Sequence, residues 1–186
     1  GIQSYKKAGK LQNLVREIGD QQFSGTVGIG HIRWATHGVP NDVNAHPHTD
    51  CNQELFLVHN GIIENCEEIK KELRTHGHTF STETDTEVLA HLIEVAMHDH
   101  SLEEAVQIAL QKVVGAYGLA VISAREPEKI VAARLGSPLV LGIVSDGEYI
   151  VASDVAAIVP HTRDVVYIQD GEIVTVTPQG YHIATL

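Results

Sequence analysis

Cysteine and positive charge are both scarce in this sequence of 186 residues. The two cysteines, Cys51 and Cys66, are too few for a disulfide framework, and we expect both to be free thiols. Lys and Arg together number 13 against 24 Asp and Glu, so the formal net charge is -11. A chain of that charge repels phosphate backbones and anionic lipid, which excludes nucleic acid as an expected partner.

Long apolar runs are absent as well. No run approaches the roughly 20 residues that a membrane-spanning helix needs, and residues 1–10 lack the apolar core of a signal peptide. We therefore expect no membrane association and a cytoplasmic protein. With 43% apolar and 20% charged residues, and without repeats or a Pro/Ser linker, the composition is typical of one globular domain over residues 1–186.

Helical and strand-like patterns alternate along this domain. Helical spacing predicts helices over residues 10–17, 65–75, 84–97 and from Ser101 to near Gly115, with Ser101 and Glu104 at capping-box spacing. Runs rich in apolar and β-branched residues predict strands over 26–34, 54–59, 117–123, 130–135, 139–144, 149–153, 165–168 and 173–177. Asp146-Gly147 and Asp170-Gly171 are typical of hairpin turns. Strands on both sides of a helical middle indicate an α+β layered domain.

The first group of residues that could carry chemistry is rich in histidine. It comprises His31-Ile-Arg33-Trp34-Ala-Thr36-His37-Gly38 and Asn44-Ala-His46-Pro-His48. Three or more imidazoles can bind zinc, so a metal-dependent hydrolase is one alternative. The spacing has neither the His-Glu-x-x-His pattern nor paired Cys-x-x-Cys ligands. We therefore expect no metal site and interpret His46, His48, His98 and His100 as side chains that hydrogen-bond neighbouring loops.

The second group, His59-Asn60-Gly61, follows a predicted strand. An amide side chain and a glycine N–H at a strand end could point at one spot and form an oxyanion hole, in which each donor contributes on the order of 3 kcal/mol in acyl transfer. Asn-Gly is also a common turn dipeptide, so the tripeptide alone leaves both interpretations open.

The third group, Ser81-Thr-Glu83-Thr84-Asp85-Thr86-Glu87, precedes a predicted helix. One interpretation is an acidic capping segment with Thr84 or Asp85 as N-cap. Another interpretation combines the three groups into a site for a free amino acid. Arg33 would pair bidentately with the α-carboxylate, and Asp85 would hold the α-ammonium group.

The order and spacing of these motifs resemble one known family. Arg33-Trp34-Ala35-Thr36-His37-Gly38, Asn44-Ala45-His46-Pro47-His48, His59-Asn60-Gly61-Ile62-Ile63-Glu64-Asn65 and Glu83-Thr84-Asp85-Thr86-Glu87 are similar to the glutaminase domains of glutamine–fructose-6-phosphate aminotransferases (glucosamine-6-phosphate synthases). Gly115-Ala-Tyr-Gly, Gly136-Ser-Pro-Leu and Ala152-Ser-Asp154 extend the resemblance over nearly the whole chain. Phosphoribosyl-pyrophosphate amidotransferases and asparagine synthetases share the Asn-Gly and Asp-Thr-Glu elements but usually lack the Trp-Ala-Thr-His-Gly and Asn-Ala-His-Pro-His strings, which favours the hexosamine branch.

The resemblance implies a class II glutamine amidotransferase with an N-terminal-nucleophile hydrolase fold, a four-layer αββα sandwich of two antiparallel sheets between helical layers. It also implies roles: Arg33 would hold the carboxylate of L-glutamine, Asp85 its ammonium group, and Asn60 with the Gly61 N–H the oxyanion. Trp34, Thr36, His37 and Gly38 would shape the pocket. The implied reaction needs neither a cofactor nor a metal. The implied partners are a sugar-isomerase domain after Leu186, which uses the ammonia to make glucosamine-6-phosphate from fructose-6-phosphate, and a second copy in a homodimeric parent protein.

One departure from the family pattern concerns the nucleophile. The family uses a cysteine at the N-terminus of the mature chain, whose own α-amine is the base, whereas this sequence begins with Gly1 and both cysteines lie outside the matching motifs. We therefore expect that an N-terminal segment with the nucleophile and the first strands is missing, and that the chain as it stands hydrolyses no glutamine. A non-catalytic glutamine-sensing module is the alternative.

Overall fold

The computed structural model describes residues 1–34, 38–145 and 147–186. Four α-helices lie in this part of the chain: α1 (Leu11–Ile18), α2 (Cys66–Thr75), α3 (Glu87–Ala96) and α4 (Leu102–Leu110). Helix α1 lies on the surface, because it has no buried residue. The capping box is also confirmed, since Ser101 and Glu104 exchange hydrogen bonds at the start of α4. None of these described helices has the length and apolar character that a membrane crossing requires.

The described residues form nine strands in two sheets. The strands are β1 (His48–Thr49), β2 (Leu55–Ile63), β3 (Gly115–Ser123), β4 (Glu126–Leu135), β5 (Val140–Ser145), β6 (Glu148–Ala152), β7 (Val165–Tyr167), β8 (Glu172–Thr177) and β9 (Gly180–Thr185). The larger sheet has the order β1-β2-β3-β4-β8-β9, and the smaller has the order β6-β5-β7. All neighbouring strands in the two sheets are antiparallel.

Two apolar layers hold these elements together. In the first, helices α2, α3 and α4 cover one face of the larger sheet, and Leu89 and Ile93 of α3 share a fully buried cluster with Leu57 of β2. In the second, Leu141 of β5 and Val174 of β8 belong to a cluster between the two sheets. Full burial of one such side chain stabilises the fold by about 1.5–3 kcal/mol. The predicted α+β class with two antiparallel sheets is confirmed.

The outer face of the smaller sheet is covered by a short turn. Gly142 follows Leu141 in β5 and therefore points to the opposite face of the sheet. A Cβ at Gly142 would lie 2.4 Å from the side chain of Ile158, which is fully buried. Ile158 follows the 3-10 helix Val155–Ala157. This turn therefore packs on the outer face of the smaller sheet at Gly142.

The predicted strand over residues 26–34 is wrong. No strand is formed there, and Ile32 and Trp34 are 73% and 88% exposed. A run with high β-propensity becomes a strand only when it pairs with a neighbouring backbone and packs a face. The edge strand at that end of the larger sheet is instead the two-residue β1. The segment contacts β2 through a side chain, because His31 Nε2 lies 2.8 Å from Asn60 Oδ1.

The hairpin predicted at Asp170-Gly171 is also wrong. The strand before this turn, β7, pairs with β5, whereas the strand after it, β8, pairs with β4 and β9. The turn therefore crosses from one sheet to the other, and Asp170 stabilises it by accepting a hydrogen bond from the Gly136 N–H and by pairing with Arg134. At the other predicted turn, β5 and β6 do pair, although Asp146 itself lies outside the described residues.

Candidate functional site

A cavity of about 200 Å³ lies where the segment 31–34, the second half of β2 and the residues before α3 meet. Its described lining consists of His31, Ile32, Arg33, Trp34, His46, His59, Asn60, Gly61, Thr84, Asp85 and Thr86. Clefts for drug-sized ligands measure roughly 300–1,000 Å³, so this cavity fits a smaller molecule. The lining combines one guanidinium, one carboxylate and several uncharged polar groups.

Five of the predicted site residues meet around this cavity. They are Arg33, Trp34, Asn60, Gly61 and Asp85, which come from three separate segments of the chain. Gly38 is not among the lining residues, and Thr36 and His37 lie outside the described residues. The structure therefore brings together the two charged groups and the two proposed oxyanion donors that the sequence analysis selected.

Asn60 is held in place by a histidine. His31 Nε2 lies 2.8 Å from Asn60 Oδ1, so the imidazole donates to the amide oxygen. With its oxygen engaged in this way, Asn60 offers its NH₂ group as the donor to a ligand. Sequence reasoning gave His31 no role of this kind, although the residue stood in the histidine-rich stretch that it singled out.

Gly61 lies inside a strand rather than in a turn. Strand β2 extends to Ile63, and Gly61 faces Tyr117 of β3, so the turn interpretation of Asn-Gly is wrong. Its φ is +138°, and a Cβ there would lie 2.0 Å from the backbone oxygen of Ala116 and 2.9 Å from His59 Nε2. Real Cβ atoms do not approach backbone atoms to 2.0 Å. A side chain at this position is therefore excluded on steric grounds.

Asp85 is a buried carboxylate with a structural contact as well as a place in the cavity wall. The residue is 4% exposed, and its Oδ2 accepts a hydrogen bond of 2.8 Å from the Ile63 N–H at the end of β2. The expectation that Thr84 or Asp85 is the N-cap of the helix is wrong, because Thr86 occupies that position. Because its carboxylate accepts from β2, Asp85 does not cap the helix, and its position beside Asn60 and Gly61 is fixed.

Arg33 is hydrogen-bonded to the loop at residues 38–39, which Asn44 also holds in place. Its guanidinium donates to the backbone oxygens of Gly38 and Val39. Buried Asn44 also donates to Val39 O, at 3.0 Å, and to Glu83 Oε2, at 2.9 Å. These bonds connect the loop beside Arg33 to the segment that carries Asp85. Asn44 and Glu83 stood in the recognised motifs, but only the structure shows this bracing role.

The histidines around the cavity are hydrogen-bonded and neutral. His46 Nδ1 accepts from the His59 N–H, and His48 Nε2 lies 3.2 Å from Thr84 Oγ1, which confirms their interpretation as loop-fixing side chains. Burial lowers the pKa of His48 to about 3, and it also lowers the pKa of His31, His46 and His59. Within the described residues, these histidines belong to no group with metal-binding geometry. The observed contacts therefore favour hydrogen bonding over the metal-dependent hydrolase.

Neither cysteine belongs to the described lining of the cavity. Cys66 begins α2, and burial raises the pKa of its thiol, which makes it a poor nucleophile. Cys51 lies in the turn between β1 and β2, where its Sγ contacts His78 and His91. Both thiols are thus held by other parts of the fold.

Comparison with known proteins gives a consistent result. A family profile described as "Glutamine amidotransferase domain" matches residues 18–180. The glutamine–fructose-6-phosphate aminotransferase [isomerizing] of Methanothermobacter thermautotrophicus is 53% identical over 174 residues, which is 93% of this chain and 29% of that protein. The enzyme of the same name from Thermus thermophilus is 48% identical over 186 residues, which is 100% of this chain and 30% of that protein. The chain spans about 30% of the length of these relatives.

Solved structures with a similar fold include glutamine phosphoribosylpyrophosphate amidotransferase from B. subtilis, complexed with ADP and GMP. It aligns with a TM-score of 0.69 at 29% identity, over 83% of this chain and 34% of that chain. A glutamine aminotransferase class-II domain protein from Silicibacter pomeroyi aligns with a TM-score of 0.56 at 18% identity, over 76% of this chain and 71% of that chain. The second likeness is one of fold alone.

Proposed function

Since this chain belongs to the family of glutamine amidotransferase domains, we propose that its cavity binds L-glutamine and is the place where the glutamine amide is hydrolysed. The parent enzyme in this proposal is a glutamine–fructose-6-phosphate aminotransferase, the name that the relatives carry. The observation that carries the proposal is the meeting of Arg33, Asn60, Gly61 and Asp85 around one small cavity.

The charges of the cavity support recognition of a zwitterionic amino acid. Arg33 supplies a guanidinium that pairs with the α-carboxylate, and Asp85 supplies a carboxylate for the α-ammonium group. The neighbouring imidazoles are neutral, so they add no competing charge. A cavity of about 200 Å³ also limits the ligand to a small molecule. Trp34 lines the pocket in this proposal, whereas Gly38 contributes through its backbone oxygen, which accepts from Arg33. The roles of Thr36 and His37 stay predictions from the sequence.

The chemistry that we assign to the site is acyl transfer to a thiol. A thiolate attacks the amide carbon of glutamine, and the negative charge that develops on the oxygen is stabilised by the Asn60 NH₂ and the Gly61 N–H. The C–N bond then breaks, the nitrogen leaves as ammonia with a proton from the base, and water hydrolyses the thioester to glutamate. Loss of one oxyanion donor in such a site lowers the rate about 10²–10³-fold.

We assign the attacking thiol to a segment outside these 186 residues, as the resemblance implies, because Cys51 and Cys66 are held away from the cavity lining. In this proposal the ammonia passes to a sugar-isomerase domain of the parent enzyme, for which there is room because the chain covers only about 30% of the relatives' length. Cytoplasmic location and a homodimeric parent protein stay predictions from the sequence.

Calorimetry with two matched ligands tests the binding proposal. We expect the chain to bind L-glutamine and to bind glutaramate, which lacks the α-amine, more weakly. Asp85→Asn keeps an acceptor for the Ile63 N–H but loses the charge, so it should weaken L-glutamine binding about 10–100-fold, the equivalent of roughly 1.5–3 kcal/mol for a charged hydrogen bond. The same substitution should leave glutaramate binding nearly unchanged.

The control for this experiment is Asp99→Asn, which removes an equal charge from a side chain that is 79% exposed. If Asp85→Asn weakened the binding of L-glutamine and of glutaramate equally, Asp85 would not be the group that recognises the ammonium. A chain extended with the cysteine-bearing N-terminal segment should release ammonia from glutamine. Glutamine binding by that extended chain without ammonia release would favour the sensing module instead.

A further inference from the structure

Four side chains away from the cavity converge on a single point. They are Cys51 in the turn between β1 and β2, His78 in the loop after α2, and His91 and Glu94 on one face of α3; we call them the Cys51 cluster. One ligand atom from each lies within 4.8 Å of all the others. None of the four lines the cavity described above.

Five of the six ligand-to-ligand distances in the Cys51 cluster match the edges of a tetrahedral site, and the sixth, between Cys51 Sγ and a Glu94 carboxylate oxygen, is at most 4.8 Å. The Cys51 Sγ lies 3.6 Å from His78 Nδ1 and 3.5 Å from His91 Nδ1. The two Nδ1 atoms are 3.2 Å apart, and each is 3.2 Å from Glu94 Oε2. In a tetrahedral zinc site with Zn–N near 2.05 Å and Zn–S near 2.3 Å, the edges are about 3.3 Å for N···N or N···O and about 3.6 Å for S···N.

The surroundings of the cluster orient its ligands. Zinc-bound histidines usually direct their second nitrogen at a carboxylate, which fixes the tautomer. His91 Nε2 is buried and lies 3.8 Å from Glu87 Oε1, so a proton on Nε2 would face that carboxylate and leave the Nδ1 lone pair for the metal ion. Glu94 is held as well, because its Oε1 accepts a 3.0 Å hydrogen bond from Asn52 Nδ2.

The turn that carries Cys51 is also preorganised. Asp50 Oδ1 accepts hydrogen bonds from the Glu54 and Leu55 N–H groups at 2.8 and 2.9 Å, and Gln53 has a positive φ of 56°. The Cys51 N–H itself donates to Glu94 Oε2 at 3.2 Å. The thiol is thus held over α3 by backbone bonds that do not depend on its own side chain.

We propose that the Cys51 cluster binds one Zn²⁺ ion in a structural site. Four protein ligands of the types that zinc prefers leave no open position for water or substrate, which distinguishes structural from catalytic sites. The ion would tie the turn 50–54 and the loop 76–80 to α3, which begins directly after the cavity residues Asp85 and Thr86. This proposal does not rest on the proposed function.

Metal titration of the purified chain tests the site. We expect one Zn²⁺ per chain by native mass spectrometry, and one Co²⁺ with the charge-transfer absorption of a thiolate ligand. Cys51→Ser should abolish that absorption, whereas Cys66→Ser, which alters the second free cysteine, should keep it. His78→Ala and Glu94→Gln should each lower the Zn²⁺ affinity at least about 10-fold. His98→Ala, at a side chain 85% exposed, is the histidine control and should bind normally.

The outcomes separate a metal site from a hydrogen-bonded cluster. Absence of stoichiometric Zn²⁺ and Co²⁺ binding by the folded chain would overturn the proposal. So would a cobalt absorption that persists in Cys51→Ser, or one that disappears in Cys66→Ser, because the thiolate would then come from elsewhere. Cys51 is exposed, so Cys51→Ser should fold, and far-ultraviolet circular dichroism of each variant checks this.

Discussion

Replacement of Gly61 by alanine is the substitution whose effect follows most directly from the structure. The new Cβ would lie 2.0 Å from Ala116 O and 2.7 Å from Ala116 C, both backbone atoms of the paired strand β3. Backbone in the middle of a sheet cannot move aside as the end of a flexible side chain can. Either β2 and β3 separate locally, or Gly61 changes conformation. Both responses distort the part of the cavity lining that Asn60 and Gly61 form.

The magnitude has two parts. The positive φ of +138° costs an L residue roughly 1–3 kcal/mol, and forcing atoms into a packed site costs roughly 1–3 kcal/mol more. Gly77→Ala is the matched control, because Gly77 also has a positive φ, +89°, but a Cβ there meets nothing within 4 Å. The difference between the two variants isolates the steric contact and should be about 2 kcal/mol.

Urea unfolding followed by circular dichroism measures this difference. With slopes of about 1–3 kcal/mol per molar urea, the midpoint of Gly61→Ala should fall roughly 1 M below that of Gly77→Ala. If the two variants unfold at the same urea concentration, Gly61 does not pack against Ala116 as described. The steric reason for glycine beside Asn60 would then be lost.

Two further predictions concern the rest of the domain. Because burial lowers the pKa of His48 from 6.5 to about 3, the folded protein binds fewer protons than the unfolded chain. The contribution of His48 to the free energy of unfolding is therefore fully present above pH 6.5 and is lost as the pH falls toward 3. Between pH 7 and pH 5 the loss is about 2 kcal/mol, and His48→Gln should abolish it. An unchanged pH profile of this variant in urea unfolding would contradict the assignment. Ser101→Ala removes the cap of α4 and should cost about 1 kcal/mol, or roughly 3 °C in Tm, whereas Ser4→Ala, at an exposed position, should leave Tm unchanged.

The local parts of the fold were predictable because their causes are local. The capping box at Ser101 and the apolar spacing of α2 and α3 depend on neighbours within a few residues, and the structure agrees with them. The strand over residues 26–34 and the hairpin at Asp170-Gly171 were wrong because pairing is decided by which backbone lies alongside. Strand β9 was missed, although it pairs with β8 along its whole length, from the pair Thr177 and Gly180 to the pair Glu172 and Thr185.

The candidate site shows the same division. Arg33, Asn60 and Asp85 could be selected from the sequence because each stands in a recognisable motif, and the structure places them around one cavity. The supporting contacts of His31 and Asn44 depend on tertiary packing and could not be derived from spacing. The Cys51 cluster was missed because its ligands come from three segments, and only the His91–Glu94 pair has a regular helical interval.

A crystal structure of the chain with L-glutamine tests the central claim most directly. We predict one glutamine molecule in the cavity, with its carboxylate within hydrogen-bond distance of the Arg33 guanidinium, its ammonium group at Asp85 and its side-chain amide beside Asn60. Glutamine bound on another surface, or bound in the cavity with the carboxylate turned away from Arg33, would contradict this arrangement of charges.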